Sequence, residues 1–210
     1  MSPDARLLSA SNILIMTFPQ LKICGVNDVR FARRAEELGA DYLGLIFAAE
    51  SPRAVTVDEA RQILKALSGW TRPVGVFMHE TAKEIAAVAG ELNLGIVQVH
   101  RRLNTKDFAA LKGKGLEVWA LAGSDAGDAF LFDSSHGDGE KELRLDVGRA
   151  ILAGGISEAN LDAAICSGAA VIDVSSSLES ARGVKSIKKL NSFMEKWASK
   201  KDKNCAGNLR

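Results

Sequence analysis

Leu21-Lys22-Ile23-Cys24-Gly25 is a short apolar run that ends in a thiol and a glycine, and it sets the pattern for the rest of the chain. Similar runs return at Tyr42–Phe47, Val74–Phe77, Ile96–Val99, Val118–Leu121, Phe130–Phe132, Ile151–Ala153 and Val171–Val174. Strands buried on both faces read as continuous apolar runs of this kind. Helical stretches lie between most of them. Val29–Leu38 is stopped by Gly39, and Val57–Leu67 carries Asp58 and Glu59 in its first turn, the end that favours anions. Thr81–Leu92 opens on a capping box formed by Thr81 and Glu84. Thr105–Leu111, Glu158–Cys166 and a final Ile187–Ser199 complete the set. Helices between successive strands make parallel, right-handed crossovers. Eight such strands predict an α/β fold, the parallel (β/α)8 or TIM barrel. A doubly wound open sheet usually has fewer strands and a glycine-rich first turn, whereas the first turn here, Gly25-Val26-Asn27, carries no such motif. The barrel is lean. Only about seven residues, Ala122 to Asp128, join strands five and six, where a crossover helix with its loops needs roughly a dozen. Ser134–Gly148 is polar and lacks an apolar stripe, so the helices after strands five and six are expected to be reduced.

A chain of 210 residues suits one domain with a substantial core. The expected boundaries are an extension over 1–18 outside the fold, with Met16 as a possible true start, a barrel over 19–202, and a tail over 203–210. The formal net charge of +1 gives no bulk attraction to nucleic acid or anionic membrane. No apolar run approaches a membrane span, and Ile13-Leu14-Ile15-Met16 is too short for a secretory core. Three cysteines, Cys24, Cys166 and Cys205, have no metal-like spacing and point to reduced thiols in the cytoplasm. His79, His100 and His136 likewise share no ligand spacing, so no metal is expected. The lysine-rich stretch Lys185 to Lys203 reads as the solvated face of an amphipathic helix.

In a barrel of this type chemistry occurs at the C-terminal tips of the strands. Cys24 stands at such a tip, two residues after Lys22. It is either a buried small hydrophobe or a thiolate base whose pKa the lysine lowers. Asp133 ends the sixth strand and is either a solvated loop residue or a general acid with a raised pKa. Arg53, after Ser51-Pro52, is a surface arginine or a fork for a carboxylate or phosphate. Gln98 and His100 flank Val99, so alternation points them to one side, as structural residues or a substrate-binding pair. Gly154-Gly155 and Ser175-Ser176-Ser177 follow strands seven and eight, the usual place of a barrel phosphate site, although both are also ordinary turns. Asp173 sits just before the serines, placed to orient the loop or the substrate.

Taken in order, these segments resemble the phosphoribosylanthranilate isomerases of tryptophan biosynthesis over roughly residues 20–190. Lys22-Ile23-Cys24-Gly25 is similar to the family's opening signature, and Gly39–Phe47 with Ser51-Pro52-Arg53 to its second strand and arginine loop. Val74–Phe77, Val97-Gln98-Val99-His100, Leu131-Phe132-Asp133-Ser134, Leu152–Ile156 and Ile172–Ser176 resemble its third, fourth, sixth, seventh and eighth strands. The resemblance implies an Amadori rearrangement of N-(5-phosphoribosyl)anthranilate without metal or organic cofactor. It implies Cys24 as base and Asp133 as acid, with Arg53 on the anthranilate side. Lys22, Gln98, His100, Gly154, Gly155, Asp173, Ser175 and Ser176 are the expected substrate-binding set. The expected partner is the phosphorylated sugar–anthranilate substrate alone, with no nucleic acid and no membrane, in a monomer or homodimer.

Four places depart from the family's pattern. Arg101-Arg102 follows the strand-four histidine where glycine is usual. Ser177 takes the place of a glycine after the two serines; a backbone there at positive φ would be strained by serine and blunt the phosphate site. Ser135-His136-Gly137-Asp138-Gly139-Glu140 replaces a glycine-rich loop, and Leu143-Arg144-Leu145-Asp146 replaces a Phe-Asp-Trp segment. Two alternatives therefore stand beside the isomerase: an impaired or repurposed relative that binds a phosphorylated ligand, and another sugar-phosphate enzyme on the same scaffold.

Overall fold

The computed structural model describes residues 18–134 and 149–207, with side chains to 202. The departures at Ser135–Glu140 and Leu143–Asp146, with His136 and Met16, lie outside the described residues.

Eight parallel strands close into a barrel in chain order. They are β1 (Gln20–Cys24), β2 (Tyr42–Ile46), β3 (Arg72–Phe77), β4 (Ile96–Val99), β5 (Glu117–Leu121), β6 (Ala129–Asp133), β7 (Ala150–Ala153) and β8 (Val171–Val174). Closure is made by β1, which pairs with β2 on one side and β8 on the other; Lys22 stands opposite Tyr42 and Asp173. Helices α1 (Val29–Glu37), α2 (Val57–Ala66), α3 (Ala82–Leu92) and α4 (Thr105–Lys112) cover the first four crossovers, and α5 (Leu161–Cys166) the last. No helix joins β5 to β6, as the seven-residue link requires. The connection after β6 lies outside the described residues beyond Ser134.

Local chemistry explains where the helices start and stop. Asp28 accepts the Phe31 N–H at the head of α1, and Gly39 follows the helix at φ +88°. A Cβ is disfavoured at that φ, so glycine ends the helix there. Thr56 with Glu59, and Thr81 with Glu84, form complete capping boxes on α2 and α3. Removing one such cap costs about 1 kcal/mol, so Thr81→Ala should lower the denaturation midpoint accordingly. An unchanged midpoint would mean that the box on α3 adds nothing. The last crossover helix is shorter than the sequence suggests. Ser157–Asn160 is taken up by a turn in which the Asn160 side chain accepts the Ser157 N–H and donates to the Gly155 carbonyl.

Two cores result. One lies between strands and helices and includes Leu21, Ile23, Val97 and Val99. The other fills the barrel and includes Cys24, Tyr42, Val74, Val76, Trp119 and Leu131. The strand period of two sends neighbouring residues to opposite cores. Tyr42 and Trp119 meet edge to face at 5.0 Å, and the Trp119 indole donates to Glu117.

The chain after β8 departs most from the sequence reading. A short 3-10 turn (Ser176–Leu178) leads into an antiparallel hairpin, β9 (Glu179–Ala181) and β10 (Val184–Lys185), before α6 (Ile187–Gly207). Lys185 was expected on a solvated helix face. It belongs instead to β10, and its side chain is 1% exposed. The helix continues to Gly207, past residue 203 where the tail was expected to begin. Phe18, placed by the sequence outside the fold, packs edge-on to Trp197 of α6.

Candidate active site

A cavity of about 500 Å³ opens at the C-terminal ends of the strands. Its walls hold Cys24, Arg53, Gln98, His100, Asp133, Gly154, Gly155, Asp173, Ser175 and Ser176. Lys22 alone of the expected site residues is absent from the wall. It is fully buried beneath the cavity floor, where its ammonium bonds Asp173 at 2.6 Å.

Cys24 closes β1 against Gly44 of β2. A Cβ on Gly44 would lie 2.9 Å from the Cys24 sulfur and 3.2 Å from the Lys22 nitrogen, so glycine makes the room that the thiol and ammonium occupy. Of the two sequence readings of Cys24, one has the lysine acidify the thiol. Burial instead pushes the Cys24 thiol above its usual range, and the pull of Lys22 and Lys185 toward the thiolate does not reverse this. Burial also works against the Lys22 ammonium, but Asp173 and Cys24 carry its pKa above the ordinary lysine value. Lys22 therefore stays charged, buried beside the thiol and bonded to Asp173.

Asp133 ends β6, three strands round the barrel from β1. Its Oδ2 lies 3.3 Å from His100 Nε2 at the end of β4. Gln98, one alternation earlier, faces the same interior. Two acceptors here are buried and have no hydrogen-bond partner among the described residues: Gln98 Oε1 and Asp173 Oδ1. Their residues are 2% and 6% exposed. Leaving such atoms unpaired costs free energy, which a ligand with well-placed hydroxyl donors would recover.

The other end of the cavity is built from turns. Gly154 and Gly155 both have positive φ, +88° and +64°, a backbone that brings peptide groups to the surface. Nothing stands within 4 Å of where a Gly155 side chain would begin. The Ser175 hydroxyl donates to the Cys24 carbonyl at 3.0 Å, tying the turn after β8 to β1. Ser177 does not carry the strain that its sequence context suggested. Among the described non-glycine residues only Asn93 has positive φ, so Ser177 sits in ordinary backbone. Arg101 does not enter the cavity either: it bonds the Glu80 carbonyl and Asp107 on the flank.

Three residues escaped the sequence reading. Glu179 and Lys185 form a buried ion pair under the site, and Arg182, at the tip of the hairpin, lines the cavity mouth. Arg53 reaches the wall as expected, but its fork is engaged by Glu179, through Nε at 2.5 Å and Nη2 at 3.0 Å. Among the described residues no three His, Cys, Asp or Glu side chains are grouped to hold a metal ion.

The family model "PRAI: N-(5'phosphoribosyl)anthranilate (PRA) isomerase" matches residues 21–196. An N-(5'-phosphoribosyl)anthranilate isomerase of Bacillus cereus is 35% identical over 201 residues, covering 84% of this chain and 97% of the relative. The crystal structure of the phosphoribosyl anthranilate isomerase from Thermus thermophilus superimposes with a TM-score of 0.75 at 32% identity, over 86% of this chain and 98% of that one. A further phosphoribosyl anthranilate isomerase, solved with reduced 1-(o-carboxyphenylamino)-1-deoxyribulose 5-phosphate, gives 0.73 at 25% identity, over 86% and 99%.

Proposed function

Because the chain belongs to the N-(5′-phosphoribosyl)anthranilate isomerase family, we propose that its strand-end cavity is the active site, with Cys24 as general base and Asp133 as general acid. The chain is an isomerase of tryptophan biosynthesis. It converts N-(5-phosphoribosyl)anthranilate to 1-(2-carboxyphenylamino)-1-deoxyribulose 5-phosphate. Asp133 protonates the ribose ring oxygen, the C1′–O4′ bond opens, and a Schiff base forms. The Cys24 thiolate then removes the proton on C2′, giving an enolamine that tautomerises to the ketone. The observation that carries this assignment is the placement of the Cys24 thiol and the Asp133 carboxylate on separate walls of a single cavity. Standing apart, they do not neutralise each other, and they can work at different atoms of a sugar held between them.

The binding roles follow from what each wall offers. Gln98 Oε1 and Asp173 Oδ1 take the ribose hydroxyls, the donors they lack among the described residues. His100 supports the acid through its contact with Asp133. Gly154, Gly155, Ser175 and Ser176 hold the phosphate, where the two positive-φ peptides face the turn after β8 and the Ser176 hydroxyl. Arg53 meets the anthranilate carboxylate. Lys22 acts indirectly, holding Asp173 in place and favouring the thiolate. The reading carries with it a cytoplasmic enzyme, monomeric or homodimeric, that works on this small substrate. Among the described residues no helix is long and apolar enough to cross a membrane.

The test is complementation of a tryptophan auxotroph lacking this isomerase, with a crystal of the protein soaked in the reduced product. Growth is expected, with the ligand phosphate between Gly154-Gly155 and Ser175-Ser176. An anion held only at Arg101 and Arg102 would overturn the placement, and failure to grow with soluble protein would favour the repurposed barrel.

A further inference from the structure

We infer that Glu179 is a positioning residue for the aromatic end of the substrate, holding the Arg53 guanidinium ready for the anthranilate carboxylate. The inference rests on the reading of Arg53 given above and adds the residue that makes it work. Glu179 lies at the start of β9, with its side chain 4% exposed. Each of its carboxylate oxygens accepts two hydrogen bonds. Oε1 takes Arg53 Nε at 2.5 Å and Lys185 Nζ at 3.2 Å; Oε2 takes Arg53 Nη2 at 3.0 Å and the Gly183 N–H at 3.0 Å. An ionised carboxylate has about four acceptor positions, so the group is filled by these donors.

Arg53 is fixed at its other end too. Its methylene stem lies over Gly25, the residue directly after Cys24. A Cβ on Gly25 would stand only 2.4 Å from Arg53 Cδ. The fork is thus located against the base on one side and the hairpin on the other. The hairpin itself is pinned at Gly183, whose carbonyl accepts from Asn27 and whose Cα faces the Pro52 carbonyl too closely for any side chain. A flexible arginine at a cavity mouth would lose rotamer freedom on binding an anion. Here that ordering is already complete in the folded protein.

Charge is arranged to the same end. Arg53 and Lys185 share Glu179 as their counter-ion, so both cations are fixed by one buried group. Burial alone would raise the Glu179 carboxyl, but Arg53, the Gly183 N–H and Lys185 hold it below the usual carboxylate range. Lys185 carries the arrangement across the site floor, donating to the Ser175 carbonyl at 2.9 Å. Ser175 in turn bonds the Cys24 carbonyl. A glutamine in place of Glu179 would present an N–H to donors and release one arm of the fork.

The test compares two ligands by titration calorimetry: the reduced product, and its counterpart lacking the aryl carboxylate. Glu179→Gln should weaken the carboxylated ligand roughly 10- to 100-fold, the range for a hydrogen bond to a charged group. It should leave the other within about twofold. Arg53→Met should lose the same discrimination, and adding Glu179→Gln to it should cost nothing further. If Glu179→Gln weakens both ligands alike, Glu179 is only a structural residue and the inference fails. If Arg53→Met still discriminates, the fault lies with the reading of Arg53 itself. Should Glu179→Gln not fold, Glu179→Asp keeps the charge but shortens the reach. It should show the same selective loss in smaller measure, and equal loss on both ligands would again overturn the inference.

Discussion

Replacing Cys24 by alanine is expected to lower kcat by roughly 10²–10⁴-fold, the usual contribution of a positioned general base. The fold should survive, because alanine removes only one small side-chain atom from the barrel core and the neighbours Gly44 and Lys22 keep their places. The wild-type pH profile should carry a signature of the same residue. Burial raises the Cys24 thiol, so at neutral pH most of the free enzyme holds the neutral thiol. The base is active only as thiolate. Therefore kcat/KM should climb as pH rises toward the thiol's pKa, on the alkaline side of an ordinary cysteine. Lys22 and Lys185 limit how far that shift goes. Steady-state kinetics on phosphoribosylanthranilate across pH, for wild type and Cys24→Ala, read both effects. Near-normal turnover in the variant would return Cys24 to the role of a packing residue.

Much of the barrel was legible because burial on both faces writes strands as plain apolar runs. The strand-end residues were legible for the same reason: a period of two puts Gln98 and His100 on one wall and Val99 in the outer core, and the structure has them so. The thiol's acidity was not. A sequence shows that Lys22 is near Cys24 but not that both are sealed from water, and burial decides the direction. The hairpin was missed because strands of three and two residues are too short to carry any period. Glu-Ser-Ala-Arg-Gly-Val-Lys reads as a polar loop, and Lys185 was assigned to the helix it precedes. Only its meeting with Glu179, six residues earlier, shows why a lysine is buried there. The one available signal was Gly183, a glycine at φ +83° in a run of larger residues, which marks a tight turn. Ser177 failed in the opposite sense. Its context argued for strain, but strain depends on a dihedral that the sequence does not contain.

Asp133→Asn should cost a similar 10²–10⁴-fold in kcat, and its value as a test lies in what the amide keeps. Asparagine preserves the size of the side chain and can still form a hydrogen bond to His100, which now lies 3.3 Å from the carboxylate. The wall of the cavity is therefore retained, while the proton that opens the ribose ring is lost. Binding and chemistry should separate: affinity for the reduced product, which needs no proton transfer, should change little, whereas turnover collapses. If the variant instead binds the reduced product as poorly as it turns over substrate, Asp133 holds the ligand rather than protonating it. The acid would then have to come from another residue on the same wall, with His100 the nearest.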